Sequence, residues 1–289
     1  MLRLRPFRTL VVETVEEASV AAADLGDRAA LYWGGTELIL ALKLHLLELD
    51  ALIDLKRVDR LAVVRRDPTY ISIGAGVTHR RVESSAEVRA VVPALAQVAS
   101  RIGNPRVRSA GTIGGSLCFG DPRSDLSVML CALDASYVLE SAGRGARTIA
   151  AGEWSVEPYE VAREIDEVMT EVRVPIETAP WRFAYEKFQL HERPVLGVAV
   201  GVRLGEDGGV AEARVAVGGG GLCATRLQAS ERELLGVGTG LGDRVEDAAL
   251  AGHPDMSDDE ECSALYKANL FRVLLRRATL RAAMGGQAG

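Results

Sequence analysis

Asn104-Pro105-Arg106-Val107-Arg108-Ser109-Ala110-Gly111-Thr112-Ile113-Gly114-Gly115-Ser116 is the stretch that decides how this chain reads. It places a hydroxyl residue close before a double glycine. Glycine lets a backbone approach a ligand closely and lets successive N–H groups point one way. Such nests, like helix N-termini, bind phosphate oxygens. A second glycine pair lies upstream, in Leu31-Tyr32-Trp33-Gly34-Gly35-Thr36-Glu37, between an expected strand and an expected helix. A diphosphate has oxygens on two sides, so two facing loops can clamp it. Neither loop carries the Gly-Lys-Ser/Thr of a Walker A loop, and neither is GxGxxG. Taken singly, each is better read as a tight turn; as a pair they favour a diphosphate.

The rest of the chain bounds what such loops can serve. Its 289 residues suffice for two ordinary domains or one large one. Apolar residues make up 48%, enough for a sizeable core. A net charge of −6 without a basic stripe argues against a nucleic-acid partner. No run approaches ~18 consecutive apolar residues, so no membrane span is expected. Met1 to Leu10 lacks a long apolar core and a small-residue cleavage site, so it does not read as a signal peptide, and a cytoplasmic location is expected. Cys118, Cys131, Cys223 and Cys262 are widely spaced, with no CxxC pair. That argues against a zinc site and against an iron–sulfur cluster held by this chain alone. His45, His79, His191 and His253 show no metal-ligand spacing and receive no role.

Local patterns suggest the elements. Thr9 to Val12 is β-prone, and Thr14 with Glu17 forms a capping box for an Ala-rich helix ending near Gly26. Ala29 to Trp33 reads as a strand, Glu37 to Leu47 as a helix and Leu52 to Leu55 as a strand, making a βαβ-like unit. Leu61 to Arg65 and Tyr70 to Ile73 form a hairpin turned at Asp67-Pro68. Helices fit Thr78 to Ser84, Val91 to Ile102 and Leu126 to Leu133, with a polar, glycine-rich passage from Gly103 to Asp121. Tyr137 to Leu139 and Glu167 to Val174 read as strands, and Pro175 to Pro180 as a linker. Beyond it, Phe183 to Phe188, Val195 to Leu204 and Ala211 to Val217 suggest three antiparallel strands. A second capping box, Ser257 with Glu260, introduces a C-terminal helix from Leu265 to Ala283.

The stretch from Asn104 to Ser116, continuing through Asp121-Pro122 to Asp125, resembles the flavoprotein component of the xanthine dehydrogenase and carbon monoxide dehydrogenase family of molybdenum hydroxylases. Gly34-Gly35-Thr36-Glu37-Leu38 is similar to that family's first FAD loop, and Tyr185-Glu186-Lys187-Phe188 to the start of its C-terminal domain. The likeness covers essentially the whole chain in order. It implies an α+β fold: a vanillyl-alcohol-oxidase (PCMH)-type FAD-binding domain of two α/β subdomains, then a small domain of three antiparallel strands and a helix bundle. The implied bounds are 1–176 for the FAD-binding domain, with subdomains of about 1–57 and 58–176, and 181–285 for the C-terminal domain.

The resemblance also implies the site. The first loop contributes backbone contacts from Tyr32, Trp33, Gly34, Gly35 and Thr36, with Glu37 at its end. The second contributes Gly111, Thr112, Gly114, Gly115 and Ser116. Asp125 falls where a carboxylate accepts from ribityl or ribose hydroxyls. Ile102 and Gly103 match an adenine-side position, Val168 and Met169 a strand near the isoalloxazine edge, and Lys187 a lysine near the flavin ring. Ser116 stands where many relatives carry Asn, and Tyr32-Trp33 is bulkier than the usual small residues. Without the resemblance, Asp125 is also readable as a helix cap, Lys187 as a solvated strand lysine, and Gly218 to Gly221 as a turn.

The function implied is that of a non-covalent FAD-binding, electron-transfer subunit with no catalytic side chain of its own. Molybdopterin and 2Fe–2S clusters are expected only in partners: a large molybdopterin subunit and a small iron–sulfur subunit. Competing readings are a stand-alone FAD oxidase, which scattered histidines disfavour, and a non-catalytic scaffold, which the intact glycine pairs disfavour.

Overall fold

A computed structural model describes residues 4–177, 180–238, 243–252 and 254–285. The first unit is β1 (Arg8–Val11), α1 (Val15–Leu25), β2 (Ala29–Tyr32), α2 (Leu38–Lys43) and β3 (Ala51–Asp54). Its strands form a parallel sheet in the order β1-β3-β2. The expected capping box starts α1. The Thr14 hydroxyl accepts from the Glu17 N–H, and the Glu17 carboxylate reaches back to the N–H of Glu13 rather than to the cap residue's own. Ala18, Ala22 and Val15 of α1 pack on Ile53 and Leu55 as a small core.

Helix α2 stops well before the expected Leu47. Its run of leucines carries no polar face to mark an end. His45 takes a left-handed φ of 58°, and the Leu46 N–H closes on the Ala41 carbonyl. The reversal brings the chain back for β3 to lie between β1 and β2.

The second unit is built on a five-stranded sheet in the order β4-β5-β10-β6-β7, from β4 (Val64–Arg66), β5 (Tyr70–Gly74), β6 (Ser136–Ser141), β7 (Gly145–Ala150) and β10 (Val168–Pro175). The hairpin at Asp67-Pro68 forms as expected, although Leu61 lies in a preceding 3-10 turn. Between β5 and β6 run α3 (His79–Ser84), α4 (Ala86–Val91), α5 (Pro93–Ser100), α6 (Pro105–Ala110), α7 (Ile113–Phe119) and α8 (Asp125–Ala132). The helix expected from Val91 to Ile102 forms as α5; Pro93, which has no N–H to continue α4, separates the two and opens α5. The passage from Gly103 to Asp121 is not loop but two short helices. Asn104 caps the first and Thr112 the second. A small hairpin, β8 (Ser155–Glu157) with β9 (Glu160–Val161), was not legible in the sequence, nor was β7. Both are short, and β7 is exposed along most of its length, so neither shows an apolar pattern.

The C-terminal sheet has four antiparallel strands, not the three expected: β11 (Arg182–Gln189), β12 (Pro194–Leu204), β13 (Val210–Gly219) and β14 (Leu222–Arg226). Strand β14 was missed because the glycine run Gly218 to Gly221 hides a tight reversal, with positive φ at Gly219, Gly220 and Gly221. Then follow α9 (Gln228–Leu234), α10 (Asp243–Ala251) and α11 (Ala264–Ala283). The linker read at Pro175 to Pro180 includes residues 178 and 179, which lie outside the described residues, as does His253.

Strand β12 shows how the sheet is used. Leu196, Val198, Val200 and Val202 face the helices of the C-terminal core. The alternate positions are Gly197, Ala199 and Gly201, and Ala199 belongs to the core of the second unit. Small residues on that face let α8, all eight residues of which are buried, lie close against the sheet. The strand is therefore apolar on both faces, and its sequence does not alternate between apolar and polar.

The capping box read at Ser257 and Glu260 does not form. Ser263 caps α11, its hydroxyl accepting from the Tyr266 N–H. The residues before it fold instead around Lys267, whose ammonium donates to the Ser257 carbonyl and to Asp259. Ser263→Ala is expected to lower stability by about 1 kcal/mol, and Ser257→Ala to change it by less than about 0.5 kcal/mol. Urea melts of the two variants check this.

Candidate functional site

The first glycine loop leaves β2 and enters α2. Gly35 takes a φ of +70°, which turns the chain. No backbone N–H from Gly34 to Glu37 is spent on a hydrogen bond among the described residues, and no side chain caps α2. The loop thus presents a row of unused donors at a helix N-terminus, where anions are favoured. The bulky residues that precede the glycines are accommodated by packing. The Trp33 ring lies over Gly76, where a Cβ would come within 2.6 Å of it. The Lys56 ammonium sits 4.1 Å from the centre of the Tyr32 ring.

The second loop meets the first directly. A Cβ on Gly34 would collide with the carbonyl of Ala110 and come within 3.0 Å of the Gly111 Cα. Gly111 has a reason of its own to be glycine. A Cβ there would meet the His79 ring at 3.0 Å, and the Gly111 carbonyl accepts from the His79 N–H. His79 is buried, its Nδ1 without a hydrogen-bond partner among the described residues, and burial together with the nearby Arg108 charge pushes its pKa down to about 4. A neutral imidazole therefore backs the loop. The Thr112 hydroxyl accepts from the Gly115 N–H, so this side chain is used to start α7.

The two glycines of the pair differ. Gly114 is buried against Ala75: its N–H donates to the Ala75 carbonyl, and a Cβ would lie 2.5 Å from the Ala75 Cβ. It is a packing glycine. Gly115 is exposed, and a Cβ there would meet only the Thr112 hydroxyl. Ser116 follows in the same first turn, half-buried.

Asp125 and Lys187, read separately in the sequence, are brought together. The Lys187 ammonium donates to Asp125 Oδ2 at 2.9 Å and to the Arg101 carbonyl at 3.2 Å. The Tyr185 hydroxyl donates to Asp125 Oδ1 at 2.6 Å. The side chains of Lys187 and Asp125 are only 5% and 9% exposed, so Lys187 is not the solvated strand lysine that the bland reading gave. Ser124, not Asp125, caps α8. Burial and the Asp125 carboxylate hold the Tyr185 phenol well above the usual tyrosine range. Gly197 is what lets this ring reach Asp125, since a Cβ there would fall on the phenol oxygen.

The remaining expected residues are more dispersed. Ile102 and Gly103 precede α6, and their carbonyls accept from Arg108. Val168 and Met169 are buried in β10, paired with Glu140 and Leu139 of β6. On the other side, pairing with β5 begins only at Glu171. Sequence reasoning missed Arg193. From the turn between β11 and β12 its guanidinium bridges Glu37 of the first loop and Asp121 after α7. A lone arginine in a turn carries no local signal; only the fold shows its partners.

Two glycine backbones in contact, with unused donors at a helix N-terminus, suit a bridging diphosphate. Among the described residues no group of His, Cys, Asp and Glu side chains is arranged to hold a metal, and no helix is long and apolar enough to cross a membrane. Comparison with known proteins agrees with the flavin. Residues 5–177 match the model of the FAD binding domain in molybdopterin dehydrogenase. The chain is 32% identical over 283 residues to the 6-hydroxypseudooxynicotine dehydrogenase complex subunit alpha of Paenarthrobacter nicotinovorans, covering 96% of this chain and 94% of that one. It is 30% identical to the carbon monoxide dehydrogenase medium chain of Afipia carboxidovorans, covering 93% and 94%. A solved carbon monoxide dehydrogenase from Hydrogenophaga pseudoflava superposes with a TM-score of 0.92 at 32% identity, over 99% of this chain and 100% of that one. The chain therefore belongs to the family of FAD-binding subunits of molybdenum-containing dehydrogenases, and its cofactor is FAD.

Proposed function

We propose that this chain is the medium subunit of a three-subunit molybdenum hydroxylase, receiving electrons from 2Fe–2S clusters in a small partner and delivering them to an external acceptor. Substrate oxidation would occur in a large molybdopterin subunit, and the assembly would be cytoplasmic. The observation that carries this is the contact between the two glycine loops, Gly34 against Ala110-Gly111. Support comes from relatives that are named as medium chains or subunits of dehydrogenase complexes. In this reading residues 1–176 hold FAD, as subdomains of about 1–57 and 58–176, and 181–285 form the domain that closes on it.

FAD supplies redox chemistry that can proceed one or two electrons at a time. The chain supplies position and charge. Tyr32 to Glu37 would offer backbone N–H groups to one side of the diphosphate, and Gly111 to Ser116 would offer the other wall. Gly115 and Ser116 would lie closest to it, while Gly114 and Thr112 hold the loop's shape. Ile102 and Gly103 would flank the adenine. Val168 and Met169 would present backbone at the flavin edge, where β10 is free of β5. Asp125 keeps lone pairs for a ribityl or ribose hydroxyl beyond those taken by Tyr185 and Lys187. Lys187, already anchored on Asp125, would place a cation near the flavin ring.

The test is spectroscopic. After incubation with FAD and gel filtration, the purified chain is expected to show a flavin band and to release FAD to the supernatant on acid precipitation. Dithionite should bleach the band; aldehydes, purines and carbon monoxide should leave it unchanged in the absence of partners. Flavin retained in the pellet, or rapid bleaching by one of those substrates, would overturn the subunit reading.

A further inference from the structure

Arg193 lies far from both glycine loops in sequence, yet its guanidinium reaches a carboxylate of the first loop and one that follows the helix started by the second. Nη2 pairs with Glu37, the last residue of the first loop, and Nη1 with Asp121, two residues beyond α7. The guanidinium also lies 6.0 Å from the Phe119 ring at the end of α7. Asp121 has a second, looser cation in Arg123, whose Nε is 3.5 Å away. Among the described residues, Glu37 has Arg193 as its one ion-pair partner. All three members are at most about one-third exposed: Arg193 32%, Glu37 35% and Asp121 11%.

Glu37 is oddly placed for a loop that receives an anion. Its carboxylate belongs to the residue that ends the row of unused N–H donors. Left unpaired there, it would oppose a dinucleotide carrying two phosphates, since like charges in a partly desolvated crevice repel one another. Arg193 cancels that charge. It does so from the turn between β11 and β12, so the cancellation exists only when the C-terminal sheet is seated on the first unit.

We propose that Arg193 is a positioning residue for FAD: it neutralises Glu37 and ties the first glycine loop and the segment after α7 to the C-terminal domain, so that dinucleotide affinity depends on that domain's docking. The proposal rests on the flavin reading above and adds a residue that neither glycine loop contains.

Fluorescence titration of the apo full-length chain with FAD tests it, at low and high salt. Arg193→Ala is expected to bind FAD at least about tenfold more weakly at low salt. Raising the salt should narrow that deficit, because it screens the Glu37 charge, which is about one-third exposed. Arg193→Ala with Glu37→Gln should regain most of the loss, since the uncompensated charge is gone. Arg193→Gln keeps a polar side chain with two N–H donors but no charge and should behave like Arg193→Ala; it covers the case in which circular dichroism shows the alanine variant to be misfolded. Binding by Arg193→Gln within about twofold of the parent, or no gain on adding Glu37→Gln, would overturn the proposal while leaving the flavin reading intact. A parent chain that binds no FAD would overturn both.

Discussion

Replacing Gly34 by alanine is expected to strip the chain of most of its FAD. The added Cβ has nowhere to go. It would collide with the Ala110 carbonyl and press on the Gly111 Cα, both of which are backbone and cannot rotate away. Gly111 in turn is backed by the buried His79 ring, so the second loop cannot retreat. The loops must therefore part. Overpacking of this kind costs about 1–3 kcal/mol, and here the cost falls on the two walls proposed to clamp the diphosphate. Flavin content per protein after gel filtration reads the effect, with circular dichroism confirming the fold. Gly115→Ala is the informative contrast. Its Cβ meets only the Thr112 hydroxyl that starts α7, so a loss of FAD there does not come from loop-to-loop packing. Full flavin occupancy in Gly34→Ala would show that the contact does not shape the site.

The second large effect concerns the buried cluster. Lys187→Ala removes the cation from Asp125 and leaves a carboxylate that is 9% exposed with one hydrogen bond from Tyr185. Removing one partner of a buried pair typically costs about 3–5 kcal/mol, because the other charge is stranded. The chain should lose stability on that scale, seen as a lower urea midpoint. Lys187→Met combined with Asp125→Asn should recover much of it, since neither member is then charged. That result would separate two roles that the sequence cannot: a lysine that steadies the junction between α8 and β11, and a lysine that acts on the flavin. If the double variant is stable but its flavin midpoint potential moves beyond that of Asp125→Asn alone, Lys187 does both. A Lys187→Ala variant as stable as the parent would mean that the pair is not buried in solution.

Much of this architecture was legible. Thr14 with Glu17, the hairpin at Asp67-Pro68, the strand before Gly34 and the apolar run that becomes α8 all follow from interactions between residues close in the chain. The two glycine loops were legible too, as candidates. What the sequence missed had weak or misleading local signals. The leucines from Leu38 to Leu47 show no polar face, so the pattern predicts a longer helix than the α2 that forms. Ser257 and Glu260 fit a capping pattern, but Lys267, fully buried, claims the surrounding segment and Ser263 takes the cap. The fourth C-terminal strand hid behind a glycine run.

Two glycine loops suited to a diphosphate, and a family resemblance that implies FAD, are legible in the amino-acid order alone. Local hydrogen bonding and backbone freedom act over a few residues, and a string of letters records them. Only the tertiary structure decided why each glycine is glycine. Gly34 answers to Ala110, Gly111 to His79, Gly114 to Ala75 and Gly197 to Tyr185. It alone joined Asp125 to Lys187, and Arg193 to Glu37 and Asp121. Those pairings depend on steric exclusion and desolvated charge between residues far apart in the chain, and no pattern of neighbours encodes which surfaces the fold will bring together.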